Sequence, residues 1–65
     1  MKVKYFKVTD TLYIEFRAVG IVESRDLDEV TVIDIDEKGN ICAMTMERAN
    51  GRADVQHFTF EEVAA

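Results

Sequence analysis

The chain has no proline, no tryptophan, one cysteine, one histidine and three glycines among its 65 residues. No proline-rich linker, internal repeat or low-complexity segment divides it, so residues 1–65 read as one small β-rich domain. A single cysteine excludes an internal disulfide and fits a reducing cytoplasm, the expected localisation. Gly20, Gly39 and Gly51 stand isolated and form no phosphate-cradling loop. No run approaches the ~18 apolar residues of a membrane span. The lysines of the opening MKVKYFKVTD precede neither an apolar block nor a small-residue cleavage site, so no secretory signal is expected. Excess positive charge is lacking too: the formal net charge is −5, which argues against nucleic acid as the main ligand.

With 48% hydrophobic and 32% charged residues, the chain is too apolar for a disordered tail. A domain of this length buries only about 60% of the surface exposed when unfolded, so self-association or a partner is expected to add stability. Charge is unevenly divided. Residues 1–25 hold five bases against three acids, a balance of +2, and residues 26–65 hold three bases against ten acids, a balance of −7. An acidic half of this kind can steer a basic protein partner toward it, or simply keep the surface soluble.

The strongest local pattern is Val30 to Met46, two apolar and β-branched flanks around Asp36-Glu37-Lys38-Gly39-Asn40. Asp36 opens the turn, and Gly39 stands where a type I turn closed by a glycine bulge needs positive φ. That loop puts Asp36 opposite Asn40, Asp34 opposite Cys42 and Val32 opposite Met44. An even-numbered loop shifts the register by one, placing Ile33 opposite Met44 and Ile35 opposite Cys42. Turn chemistry favours the first. It groups Val30, Val32, Met44 and Met46 on one face and Ile33, Ile35, Ile41 and Ala43 on the other. Both faces then carry large apolar side chains, and a sheet with one wet face is not expected.

Upstream, Val3 to Phe6 predicts a short strand, Lys7 to Asp10 a tight hairpin loop, and Leu12 to Arg17 a strand with period-two alternation. Ile21 to Arg25 continues the pattern after Gly20. The acidic Asp26-Leu27-Asp28-Glu29 reads as a loop. Downstream, Glu47 to Arg52 reads as a helical turn or loop ended by Asn50-Gly51, and Val55 to Phe58 as one more short strand. Thr59 caps a short helix over Phe60 to Ala65, with Glu62 closing a capping box. The expected fold is α+β, mostly β: an antiparallel meander of about five strands, sequential strands adjacent, with a short C-terminal helix.

Taken in order, Asp10-Thr-Leu-Tyr-Ile, then Glu23-Ser24, then Asp34-Ile-Asp-Glu-Lys-Gly39 resemble the small prokaryotic proteins of domain-of-unknown-function family 2283. That family shows a D-x-L-Y-I strand, an E-S strand and a D-x-D-x-x-G hairpin, and the likeness covers roughly residues 3–48. Ala43 stands where the family often has glycine, and the tail after Arg48 is less characteristic. The resemblance implies a small sheet protein with no established activity. Some members look like partners of small toxin-like proteins, a pointer toward antitoxin-type binding.

Constellations for chemistry are weak. Asp34, Asp36 and Asn40 begin like a calcium loop, but Lys38 occupies a ligand position and Thr45 stands where a bidentate Glu is needed. Cys42 lacks an activating partner and reads as a buried, inert thiol. His57 beside Phe58 reads as a surface or packing residue. Met44 and Met46 suit core filling. No catalytic residues, cofactor or metal are expected, and the chain reads as an interaction module and not an enzyme. A homodimer is expected through one face of the hairpin, with Val30, Val32, Ile33, Ile35, Met44 and Met46 as interface candidates and Asp36 and Gly39 as the turn. In the competing arrangement, loops 18–20 and 47–58 fold over that face and leave a monomer.

Overall fold

Period-two alternation along each apolar segment produces strands, and the computed structural model, which describes residues 1–65, assembles five of them into one antiparallel sheet. The strands are β1 (Lys2–Phe6), β2 (Thr11–Glu15), β3 (Glu23–Asp28), β4 (Thr31–Ile35) and β5 (Ile41–Glu47), followed by a 3-10 turn at Ala49–Gly51. The mostly-β class and the strand number agree with the sequence. The molecule measures 36 × 32 × 17 Å, and all five strands lie in the one sheet.

One adjacency differs from the expectation. The order across the sheet is β1-β2-β5-β4-β3, so β2 pairs with β5 and not with β3. Burial explains the exchange. The centre of a sheet shields a strand on both sides, and β5 carries Cys42 and Ala43, each 0% exposed. Strand β3, Glu-Ser-Arg-Asp-Leu-Asp, is exposed throughout and takes an edge where water solvates its charges. For the same reason Asp26 to Asp28 extend β3, where the sequence suggested a loop. Residues 16–22 cross from β2 to β3 past the sheet's end. The N–H groups of Phe16 and Arg17 donate to the Cys42 carbonyl (2.8 and 3.2 Å), and that of Val22 donates to Ile35 (3.0 Å).

The central hairpin uses both registers considered above. At the tip the Gly39 N–H donates to the Asp36 carbonyl (3.1 Å), Gly39 has φ 84°, and the Asp36 N–H donates to Asn40 (3.0 Å). This is the expected three-residue loop, and it sets Ile35 opposite Ile41. One residue further the register shifts: Asp34 pairs with Ala43, Ile33 with Met44 and Thr31 with Met46. Cys42 is the extra residue of that bulge.

The bulge corrects the two-faced hairpin. Val32 does not face Met44, and the paired rows of the sheet separate by polarity. One face carries Val3, Ile14, Met44 and Ile33, then Tyr5, Leu12, Met46 and Thr31, with the charged Arg25 and Asp28 of the edge strand β3 ending the two rows. The other carries Lys4, Tyr13, Thr45, Val32 and Asp26, then Lys2, Glu15, Ala43, Asp34 and Ser24. A slip of one residue inverts a strand's faces, so one inserted residue converts two half-apolar faces into one apolar and one mostly polar face.

The 3-10 turn fulfils the expected helical turn before Arg52. Val55 to Phe58 is not a strand, and Phe60 to Ala65 forms no helix. Six residues are too few to hold a helix without docking, and Phe60 and Val63 remain 74% and 73% exposed.

Candidate functional site

The polar residues of the motif segments turn out to be pins. Asp10, at φ 53°, ends the β1–β2 loop. Its Oδ1 accepts from the Tyr5 hydroxyl (2.7 Å) and from the Asn50 N–H (2.9 Å), while its carbonyl accepts from the Ala49 N–H (3.0 Å). One aspartate thus ties the first hairpin to the 3-10 turn 40 residues away, over the fully buried Ala49. The hydrogen bond to Asp10 raises the Tyr5 pKa, because the phenol then keeps its proton to donate.

Ser24 and Asp34 are cross-strand partners, and the Ser24 hydroxyl donates to Asp34 Oδ1 at 2.6 Å. Asp36 holds the hairpin tip: Oδ1 accepts from the N–H groups of Asn40 and Lys38 (2.9 Å each), and Oδ2 from the Asn40 amide (3.1 Å). The bonds from Asn40 come first among the causes that lower the Asp36 pKa, and Arg17 at 3.9 Å adds to them. Asp36 thus accepts three hydrogen bonds within its own turn and Asp10 two on one oxygen, while Asp34 accepts a single hydroxyl. A shallow cleft of about 390 Å³ lies between the β2–β3 crossover and this tip, lined by Arg17, Val22, Asp36 and Lys38 among others.

A fourth pin was not read from the sequence. Arg52 forks onto Asp28, Nη2 to Oδ2 at 2.9 Å and Nη1 to Oδ1 at 3.4 Å, and Nη1 also donates to Thr31 Oγ1 at 3.0 Å. Thr31 is 1% exposed and shares the apolar face. The hydrogen bond from Arg52, with one from the Val30 N–H, lowers the Asp28 pKa to about 2. Arg52 therefore fastens the C-terminal segment over the sheet. Ala53 and Val55 are half-buried, and further on Phe58 and Phe60 line an open groove of about 430 Å³ with Met1 and Val3 of the first strand's end.

Among the interface candidates Ile35 is buried, and Val30, Val32, Ile33, Met44 and Met46 are half-buried. Val32 lies on the polar face, apart from Ile33, Met44 and Met46. Cys42 is fully buried, its thiol 3.7 Å from the Asn40 carbonyl. His57 Nδ1 sits 2.9 Å from both oxygens of Asp54 on the surface. The large apolar residues left open lie elsewhere: Phe58 and Phe60 are 67% and 74% exposed. The alternation Phe58-Thr59-Phe60 was their signal in the sequence, hidden by the capping-box pattern that overlaps it.

The sheet's charges also separate by edge. Strand β1 carries Lys2 and Lys4 at one edge, and β3 carries Glu23, Asp26 and Asp28 around the single Arg25 at the other. No helix is long and apolar enough to cross a membrane. No curated protein and no solved structure matches the chain. A family model does match residues 2–50, which hold the whole sheet and the start of the 3-10 turn, and the chain therefore belongs to the family described as Protein of unknown function (DUF2283).

Proposed function

We propose that this protein is a small cytoplasmic interaction module, non-enzymatic, that self-associates as a homodimer. The observation that carries the reading is the mismatch between core and surface. Four apolar residues, Ile35, Cys42, Ala43 and Ala49, are buried, while twelve large hydrophobic residues are exposed. Of these, Met1, Phe58 and Phe60 line one groove together, and a second copy needs only one self-complementary patch to cover it. The commitment of Asp10, Asp34 and Asp36 to structural hydrogen bonds supports the non-enzymatic half of the reading. Sedimentation equilibrium tests it: the expected species has twice the 7.4 kDa chain mass. A chain that stays monomeric up to ~100 µM overturns it, since an interface worth roughly −8 kcal/mol forms in the micromolar range.

A second reading is an antitoxin-like neutraliser of a small basic protein. It is favoured by the acidic edge, where Glu23, Asp26, Asp28 and Glu29 stand exposed on the edge strand β3 and the turn that follows it. A neutraliser co-purifies with a basic protein from its native cell, and the association slows as salt rises. A module that only self-associates recovers itself alone.

A further inference from the structure

We infer that the second copy is joined by strand addition: the segment Phe58–Val63 of each chain lies along the outer edge of β1 in the other. The inference rests on the self-association proposed above and names its surface. Strand β1 is an edge strand, so alternate N–H and C=O groups along it have no partner in the sheet. The tail is the complementary deficit. None of the backbone hydrogen bonds involves residues 58–65, although the tail already reaches Met1 and Val3 of its own chain. In that position both rings remain about two-thirds exposed or more.

Side-chain order favours this pairing. Along β1, Val3 and Tyr5 point to the apolar face while Lys2 and Lys4 point to the other. An extended tail alternates in the same period: Phe58 and Phe60 on one side, Thr59 and Glu61 on the other. Setting the rings against the Val3 and Tyr5 face places Glu62 on their side and brings Thr59, Glu61 and Val63 to the lysine face. Homotypic edge pairing is opposed by charge. Two β1 strands side by side juxtapose lysines, and in β3 three acids, Glu23, Asp26 and Asp28, outnumber the single Arg25. A tail bearing Glu61 removes the first repulsion.

The area is sufficient. A buried phenylalanine ring hides about 150–250 Å² and these are mostly exposed, so the four rings of a pair leave roughly 500–600 Å² to cover. With a comparable area on the receiving strands the contact totals roughly 1,000–1,200 Å², the lower limit for a specific dimer.

The test is sedimentation of the full-length chain and its variants, each checked for fold by far-ultraviolet circular dichroism. Phe58→Ser with Phe60→Ser is expected to raise the dissociation constant at least ~10-fold. Lys2→Glu with Lys4→Glu is expected to raise it about three- to ten-fold, and Glu61→Lys in that background to restore most of the loss, whereas Glu62→Lys does not. If the serine variant loses its fold, the charge exchange decides alone. A serine variant that folds and dimerises like the wild type overturns the tail contact and leaves self-association standing at another surface. Failure of the Glu61→Lys rescue overturns β1 as the receiving edge. A wild-type chain that is monomeric at ~100 µM overturns both this inference and the reading beneath it.

Discussion

At the scale of single residues, stability in this thin sheet depends on a few aspartates that each hold more than one donor. Asp10 holds a side-chain hydroxyl and a backbone N–H on one oxygen while adopting φ 53°, a conformation that Asp and Asn tolerate better than Ala. Asp10→Ala is expected to cost about 2–3 kcal/mol through two lost hydrogen bonds and the left-handed backbone, and Asp10→Asn distinctly less. Urea unfolding of the pair checks this, and equal losses would show that the backbone conformation and the acceptor contribute nothing separately. Asp28 makes a pH prediction. Its folded pKa of about 2 lies below the ordinary 3.8, so its contribution is complete above pH 3.8 and fades as pH falls toward 2. In Arg52→Ala the leading cause of that depression is gone. The stability gap between wild type and variant is therefore expected to be constant near neutrality and to close between pH 3.8 and about 2, as followed by urea midpoints. A gap that persists undiminished at pH 2 contradicts the assigned ion pair.

At the scale of elements, the central hairpin shows how turn chemistry and burial share the decision. Gly39, with φ 84° and open space where a Cβ would stand, sets the register at the tip for conformational reasons alone. Gly39→Ala is expected to destabilise by about 1 kcal/mol, while Gly51→Ala, which has the same open space without positive φ, is neutral or slightly stabilising. Thermal unfolding of the two single variants distinguishes this from a steric origin, which would affect both alike. Beyond the tip, packing takes over. Regular continuation of the turn's register would set Val32 against Met44 and divide the large apolar side chains between the faces. The bulge at Cys42 instead aligns Met44 with Ile33 and Ile14, and Met46 with Leu12. The cost of one unpaired residue is offset by burying Cys42 and Ala43 completely at the sheet's centre.

At the scale of the whole molecule, a 65-residue chain folded as one layer has little interior, and its C-terminal segment is fastened to the sheet through Arg52. That arrangement resembles the monomeric alternative in placing residues 52–58 over the sheet, yet it leaves Phe58, Phe60 and Val63 in water. If a second copy covers them, stability depends on concentration. The thermal midpoint is expected to rise by several degrees for each tenfold increase in chain concentration, given the ~4–8 °C per kcal/mol typical of domains this small. Calorimetry from about 5 to 500 µM checks it, and a midpoint constant across that range removes the dimer.

Local chemistry was legible in the order of residues: the Asp36-to-Gly39 turn, the hairpin loop ending at Asp10, the alternating strands and the turn at Asn50-Gly51 each depend on neighbours a few positions apart. The motif segments that mark the family were legible for the same reason. Three things only the tertiary structure decided. The place of β5 beside β2 follows from which strand gains most by being central, a comparison among all five that no single segment contains. The shift at Cys42 follows from aligning Met44 and Met46 with β2 and with β4 at once. The placement of the tail follows from Arg52 meeting Asp28 and Thr31, and from Phe58 and Phe60 lining one groove with Met1 and Val3, partners more than 20 residues away in the chain. Turn and strand preferences act over a few residues, whereas burial and charge pairing act through space, and in a sheet this thin the second set chooses among the options the first leaves open.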